Sequence, residues 1–236
     1  IEKAVSIITA DDLTVTYDGI EHFIEATLNH SESELVYQNN GQVNAGSYTV
    51  VISVPESTNY LAASVEKTIT INKKALTVTI NNKEIVYGDE EVGLTYDQEG
   101  LVAGDVLDIN LIRETGVNAG SYAITAELGI NPNYDIIVVN GTYTITPKAI
   151  EVIVDDKTSV YGEAIVALTH KVIGLVGDDQ LVVNLTKAEG LNAGEYAITA
   201  TYEPNPNYTV TVTEGTYTIE KAVSIITADD LTVTYD

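Results

Sequence analysis

The chain has 236 residues, with 11 Lys and Arg against 35 Asp and Glu, a formal net charge of −24. That field repels phosphate and anionic lipid, so nucleic acid is not an expected partner. No apolar run approaches the roughly 20 residues of a membrane span, so membrane insertion is not expected either. Cys, Met and Trp are absent, which removes disulfides, thiol nucleophiles and cysteine-ligated zinc.

In chain order, the first signals are Tyr17-Asp18-Gly19 and the turn Asn44-Ala45-Gly46, followed by a strand from Tyr48 to Val54. Next come Leu76, Val78 and Ile80 interleaved with Thr77 and Thr79, an alternation that marks a half-buried strand. The turn Asn118-Ala119-Gly120 leads into a strand from Tyr122 to Leu128, and Asn131-Pro132-Asn133 into strands from Tyr134 to Val139 and Thr142 to Ile145. Ile150, Val152 and Val154 open the same series again, with strands from Tyr196 to Tyr202, Tyr208 to Val212 and Thr216 to Ile219. A short helical turn is expected after Gly100 and Gly174. About six short strands per unit, rich in Val, Ile, Thr and Tyr, predict an all-β fold of small Ig-like, antiparallel β-sandwich modules. A compact β-grasp-like mixed sheet with a short helical turn fits the same pattern.

Repetition organises the whole chain. Asn-Ala-Gly-x-Tyr begins at 44, 118 and 192, a spacing of 74, and Asn-Tyr recurs at 59, 133 and 207. Tyr17-Asp18-Gly19 corresponds to Tyr87-Gly88-Asp89 and Tyr161-Gly162-Glu163. Units two and three carry Gly100-Leu101-Val102-Ala103-Gly104-Asp105 and Gly174-Leu175-Val176-Gly177-Asp178. Unit one has Ala26-Thr27-Leu28-Asn29-His30-Ser31 instead, so two subtypes of one module are present. The expected modules are 1–72, 73–146 and 147–220, with 221–236 the incomplete start of a fourth. Residues 1–18 and 219–236 are identical, which we read as a higher-order repeat of 218 residues; an artificially appended terminus is the other reading. With no initiator Met, the chain reads as an excerpt of a longer one, and the lack of a leader says nothing against export.

Modules join without a Gly/Ser spacer, through Ile71-Asn72-Lys73-Lys74-Ala75, Ile145-Thr146-Pro147-Lys148-Ala149 and Ile219-Glu220-Lys221-Ala222. Linkers of two or three residues imply modules stacked end to end as an elongated rod. At about 3.3 Å per strand residue each module spans about 35–40 Å. Neighbouring modules are therefore the expected partners, and the expected state is a monomer.

The Tyr-Gly-Asp/Glu, Gly-Leu-Val-x-Gly-Asp, Asn-Ala-Gly-x-Tyr, Asn-Tyr and Gly-Thr-Tyr-Thr-Ile segments resemble the MBG repeat (YGX type) of large bacterial surface proteins. Unit one, with Glu66-Lys67-Thr68 in place of Gly-Thr-Tyr, is closer to YDG and SHIRT-like repeats. The resemblance implies the stalk of a cell-surface adhesin, anchored at the bacterial surface and projecting a distal adhesive domain elsewhere in the longer protein. It supplies no catalytic residues.

The residues themselves add few candidates for chemistry. His22, His30 and His170 occupy no repeating position, and no Ser-His-Asp order, phosphate-cradling glycine loop or ligand cluster accompanies them. No catalytic, cofactor-binding or metal-binding residue is assigned, and no enzyme activity is expected. The pairs Asp11-Asp12, Asp155-Asp156, Asp178-Asp179 and Asp229-Asp230 suit calcium by ligand type, but no calcium-loop spacing is present, and a solvated acidic surface is the simpler reading. Lys3, Lys74, Lys148 and Lys221 sit at joints, where exposure argues against an isopeptide bond. The tyrosines read as structural, with Tyr48, Tyr122 and Tyr196 expected in the core and turn-adjacent hydroxyls bonded to backbone.

Overall fold

The computed structural model describes residues 1–235 and, among them, contains strands and no helix. Asp236, the last residue of the expected fourth start, lies outside the described residues. The chain divides into two compact units. The first comprises Ile1–Lys83, Val92–Thr115 and Tyr122–Tyr143; the second comprises Glu84–Glu91, Gly116–Ser121 and the chain from Thr144 on.

The first repeat contains β1 (Ile8–Ala10), β2 (Leu13–Thr16), β3 (Ala26–Leu28), β4 (Val36–Gln38), β5 (Gly46–Val54) and β6 (Ala63–Asn72). The second contains β7 (Lys74–Ile80), β8 (Lys83–Val86), β9 (Tyr96–Glu99), β10 (Ile109–Arg113), β11 (Gly120–Leu128), β12 (Tyr134–Val139) and β13 (Gly141–Thr146). The third repeats that order with β14 (Lys148–Val154), β15 (Lys157–Val160), β16 (His170–Ile173), β17 (Val183–Lys187), β18 (Gly194–Tyr202), β19 (Tyr208–Thr213) and β20 (Gly215–Glu220). Residues 221–235 carry no strand. The same sequence at 3–17 is partly in β1 and β2, which pair with β3 and β6. The segment thus forms strands where β3 and β6 pair with it.

The third repeat, wholly inside the second unit, shows the architecture most plainly. One sheet has the order β16-β14-β19 and the other β15-β20-β18-β17. The run from β14 to β15 turns from the first sheet into the second at Asp155-Asp156, and the run from β19 to β20 does so at Glu214. The two runs travel side by side, so β14 pairs parallel with β19 and β15 parallel with β20. The sheets are therefore mixed where an antiparallel sandwich was expected. In this repeat the parallel pairs exist because the opening and closing runs turn the same corner together. The expected helical turn after Gly174 is a single turn closed by Asp179 N–H donating to the Val176 carbonyl at 3.0 Å, and Asp105 to Val102 at 3.1 Å is its counterpart after Gly100.

The corner explains two features of the sequence. A Cβ on Gly215 would lie 3.0 Å from Val154 Cγ1 and 3.1 Å from the Asp155 carbonyl oxygen, so the glycine of Gly-Thr-Tyr lets the two runs close on each other. In the first repeat Lys67 stands at that place, and β6 runs on unbroken, pairing along its length with β5. The acidic pairs also have work at the corner. Asp12 accepts from the Thr68 N–H at 2.8 Å and Asp156 from the Thr216 N–H at 2.7 Å, while Asn82 holds Thr142 at 2.8 Å in the same way. One member of the first two pairs is thus a structural bracket, a use that a purely solvated reading leaves out.

The core is built from the alternating strands, with Leu76, Val78, Ile80, Ile150, Val152 and Val154 all buried. Burying each such aliphatic side chain contributes about 1.5–3 kcal/mol. The tyrosines expected in the core lie at its edge: Tyr48, Tyr122 and Tyr196 are half-buried, with Tyr48 and Tyr196 packed against it. Tyr48 and Tyr196 sit over their turns and donate to the Asn44 and Asn192 carbonyls at 3.0 and 2.8 Å. The fully buried tyrosines among the described residues are Tyr143 and Tyr217 of Gly-Thr-Tyr, both 0% exposed. They point inward because they share strand parity with Ile145 and Ile219, whereas an aromatic at the start of β5, β11 or β18 lies at the rim. Tyr217 accepts from the Val166 N–H at 2.8 Å and lies under Lys187, whose Nζ is 5.6 Å from its ring.

Tyr217→Ala should therefore destabilise the third repeat by about 3–5 kcal/mol, well beyond Tyr196→Ala. Urea titration of the two variants checks the order; an equal or larger loss for Tyr196→Ala contradicts the assignment.

Candidate functional site

The residues that recur most clearly in the sequence converge at the joints between repeats, and each compact unit holds one such joint whole. Tyr17 follows β2, which runs parallel to β6, and its N–H donates to the carbonyl of Asn72, the end of that strand, at 2.9 Å. After one intervening residue β7 begins, and the Lys74 N–H donates to the Asn133 carbonyl at 2.9 Å. The linker between β6 and β7 is thus Lys73 alone, shorter than the two or three residues expected. Tyr17 marks the end of one repeat and Asn133-Tyr134 the start of the next, so strand pairing brings both against the link.

Their side chains then lock together. Asp105 Oδ2 accepts from the Tyr17 hydroxyl at 2.9 Å and also from the Tyr134 hydroxyl. The two rings meet edge to face, 5.5 Å apart at 80°. Val102 N–H donates to the Tyr134 hydroxyl oxygen at 3.0 Å, so that phenol gives to Asp105 while it receives from Val102. On the other flank, Ala45 N–H donates to Asn133 Oδ1 at 2.8 Å and Asn133 Nδ2 to Asn44 Oδ1 at 3.0 Å. Gly19, at φ 80°, lies so close to Val102 that a Cβ would stand 2.9 Å from its Cγ1.

The second unit repeats this arrangement with different residues. Asp179 Oδ2 accepts from Tyr87 at 3.0 Å and Tyr208 at 2.5 Å, and Val176 N–H donates to the Tyr208 hydroxyl at 3.0 Å. The Tyr87 and Tyr208 rings are 5.5 Å apart at 84°. Ala119 N–H donates to Asn207 Oδ1 at 2.7 Å, and Asn207 Nδ2 to Asn118 Oδ1 at 3.0 Å. A Cβ on Gly88 would stand 2.4 Å from Val176 Cγ2. Here the linker is Pro147, whose ring fixes φ. The joints therefore combine Tyr17-Asp18-Gly19 or Tyr87-Gly88 and Asn-Ala-Gly from one repeat with the Gly-Leu-Val loop, its aspartate (Asp105 or Asp179) and Asn-Tyr from the next.

Electrostatics keep these phenols neutral. Burial first, and then the hydrogen bond to Asp105 with its negative charge, push Tyr17 above its ordinary value. The same causes, in the same order, raise Tyr134 to about 12. Tyr208 is raised by burial and then by Asp179, and Tyr87 by its bond to Asp179 and then by burial.

The other candidates do not converge. His22 Nε2 is 3.0 Å from Asp18 Oδ1, and His30 stacks on Tyr60 with centroids 3.7 Å apart, so the two histidines serve local contacts. Among the described residues no group of three or more His, Asp or Glu is arranged to hold a metal ion. Asp155 is held below its usual range first by the Thr169 hydroxyl bonded to it. Lys3 pairs with Glu56 and donates to the Ser57 carbonyl at 2.8 Å. The period of each motif is legible in the sequence, but its partner in the next repeat, 88 residues on for Tyr17 with Asp105 and for Ala45 with Asn133, is not.

The family model described as MBG domain (YGX type) matches residues 76–144 and 150–218, more than half of the chain. No curated protein is significantly similar. Among solved structures, one titled as domains 4–9 of the surface layer protein SbsC aligns at 12% identity with a TM-score of 0.26, covering 94% of this chain. The chain spans about half of that structure, 48% of its length.

Asp105→Ala leaves two phenols without their acceptor and should cost about 1–3 kcal/mol in the first unit, seen as a lower urea midpoint. The pH dependence follows from the raised phenols. The neutral form is favoured in the fold, so its contribution is complete below the unfolded value of about 10 and fades as pH rises through the folded value of about 12. Absorbance at the phenolate band should show Tyr134 titrating late in the native chain and earlier in Asp105→Ala, though still above an exposed tyrosine while its burial persists. Coincident titration of all tyrosines near pH 10 contradicts this.

Proposed function

The chain belongs to the MBG domain family of the YGX type, and from that premise and the joint geometry we propose that it is a structural spacer of a bacterial cell-surface protein. In this reading the tandem repeats stack end to end as a rod and hold an adhesive domain of the longer protein away from the cell. The proposal takes 1–72, 73–146 and 147–220 as the modules, and the chain as a monomer with no catalytic role. The observation that carries the proposal is the shared carboxylate at each joint, which fastens a tyrosine of one repeat to a tyrosine of the next beside a one-residue link. Such a joint resists bending, and resistance to bending is what a spacer needs.

The charge of −24 supports the same reading, since it discourages lateral association between rods. The contrasting idea, that the repeats bind a host ligand multivalently through tyrosine-bearing faces, would have to rest on the rim tyrosines Tyr48, Tyr122 and Tyr196, which are half-buried, and on Tyr161. Tyr17, Tyr134, Tyr143, Tyr208 and Tyr217 are buried in joints or cores. No cofactor is needed for the joint as described, and calcium has no part in this proposal.

Small-angle scattering tests the spacer directly. The maximum dimension should grow by about 35–40 Å for each added 74-residue repeat, at about 3.3 Å per strand residue. Asp105→Ala with Asp179→Ala should broaden the distance distribution without unfolding the repeats. A compact particle whose dimension is insensitive to repeat number overturns the proposal. Chelation with EDTA should leave the melting temperature unchanged; a marked fall would instead favour a calcium-stiffened stalk.

A further inference from the structure

The third repeat presents the upstream half of a joint with nothing on it. Tyr161 is 52% exposed, whereas Tyr17 in the same place is 5% exposed. Ala193 is exposed where Ala45 and Ala119, bonded to Asn133 and Asn207, are half-buried. Gly162 holds a φ of 90° like Gly88, yet no atom lies within 4 Å of where its Cβ would be, while Gly19 and Gly88 are met by Val102 and Val176. Between them, Tyr161, Gly162, Ile165 and Leu191 help line an open concavity of about 330 Å³. Leu191 and Ile165, 72% and 47% exposed, add apolar surface to this pole.

The first repeat presents a downstream half, also uncovered. Its Asn59 is exposed and Tyr60 half-buried, whereas Asn207 and Tyr208 are 8% and 7% exposed. The local frame is nevertheless the same, with Ala4 N–H donating to the Asn59 carbonyl at 2.7 Å as Lys74 does to Asn133. Glu32 accepts from Asn59 Nδ2 at 2.9 Å, which fixes the amide and directs its Oδ1 away from that contact. Beside Tyr60 stands the stacked His30 in place of the Gly-Leu-Val-x-Gly-Asp loop.

We infer that the Tyr161 pole is the docking surface for a second copy of the 1–72 module, with Asn59 of that copy on the Ala193 N–H and its Tyr60 against Tyr161. The occupant follows from the chain itself, because the sequence of residues 219–236 repeats that of residues 1–18 without a change. The inference rests on the spacer reading and adds to it the identity of the next partner. It also implies two kinds of joint. Two are locked by a carboxylate shared between tyrosines, and the third, lacking the Asp105 counterpart, relies on the asparagine bond and on ring and apolar contact. Along the array, the less constrained joint would recur every 218 residues.

The test extends the 236-residue chain by a further copy of residues 19–72, completing the module begun at 219, and follows amide exchange. Exchange at residues 221–235 should slow to match residues 3–17, reporting that the added copy has folded. Ala193 exchange should slow at least about tenfold relative to the original chain, equivalent to about 1.4 kcal/mol, and nitration of Tyr161 should fall with it. Tyr161→Ala in the extended chain should return Ala193 to its original rate while Ile198, in the core, is unaffected. An added copy that does not fold, or that folds and leaves Ala193 and Tyr161 as open as before, overturns the inference. So does protection gained only when a copy of residues 73–146 is added instead. Scattering on the same extended chain separates the two readings: a length that grows while Ala193 stays open removes this docking surface and leaves the spacer standing.

Discussion

A single carboxylate oxygen that accepts from tyrosines of two successive repeats is the constraint on which the joints depend. A phenol donates one proton, so each tyrosine commits its hydroxyl to Asp105 or Asp179 and has none left for a competing acceptor. A charge-assisted bond of this kind is stronger than a neutral one, and burial of the rings keeps water from replacing it. The edge-to-face ring contact and the asparagine bridge on the opposite flank fix the remaining freedom. Three separate contacts flank each link, and a link of one residue has little slack with which to escape them.

The acidic surplus has a structural side as well. Asp12 and Asp156 accept main-chain N–H groups at the corner where strands pass from one sheet to the other, Asp105 and Asp179 hold the joints, and Glu32 orients Asn59. The N–H and O–H groups involved would otherwise need water or another carbonyl. In the second repeat Asn82 brackets Thr142 where Asp12 and Asp156 bracket their threonines, so the geometry of the acceptor matters there more than its charge. The charge therefore does more than keep the surface solvated.

Tyrosine follows two rules that look alike in sequence. In Gly-Thr-Tyr the ring goes inward, because the glycine lets two runs close at the corner and the next positions alternate toward the core. In Asn-Ala-Gly-x-Tyr the ring stays at the rim and caps its own turn, as Tyr48 and Tyr196 do. The motifs that surround the core and the motifs that join the repeats recur at the same period, so periodicity alone does not sort them.

By itself the sequence determined that the chain is an all-β tandem array. Alternation along Leu76–Ile80 and Ile150–Val154, turn signals at fixed spacing and the 74-residue period are local properties, and they survive without knowledge of any contact. The strands from Tyr134 to Val139 and those of Gly-Thr-Tyr were legible for the same reason. The parallel pairing of opening and closing runs was not, since nothing local distinguishes a strand that returns beside its neighbour from one that crosses a corner with a distant partner. Nor was the use of Asp105, Asn133 and Tyr134 as partners of Tyr17 and Ala45. Only the tertiary structure decided that, because the link sets which strand ends lie together, and proximity in space, rather than pattern along the chain, selects the hydrogen-bond partners.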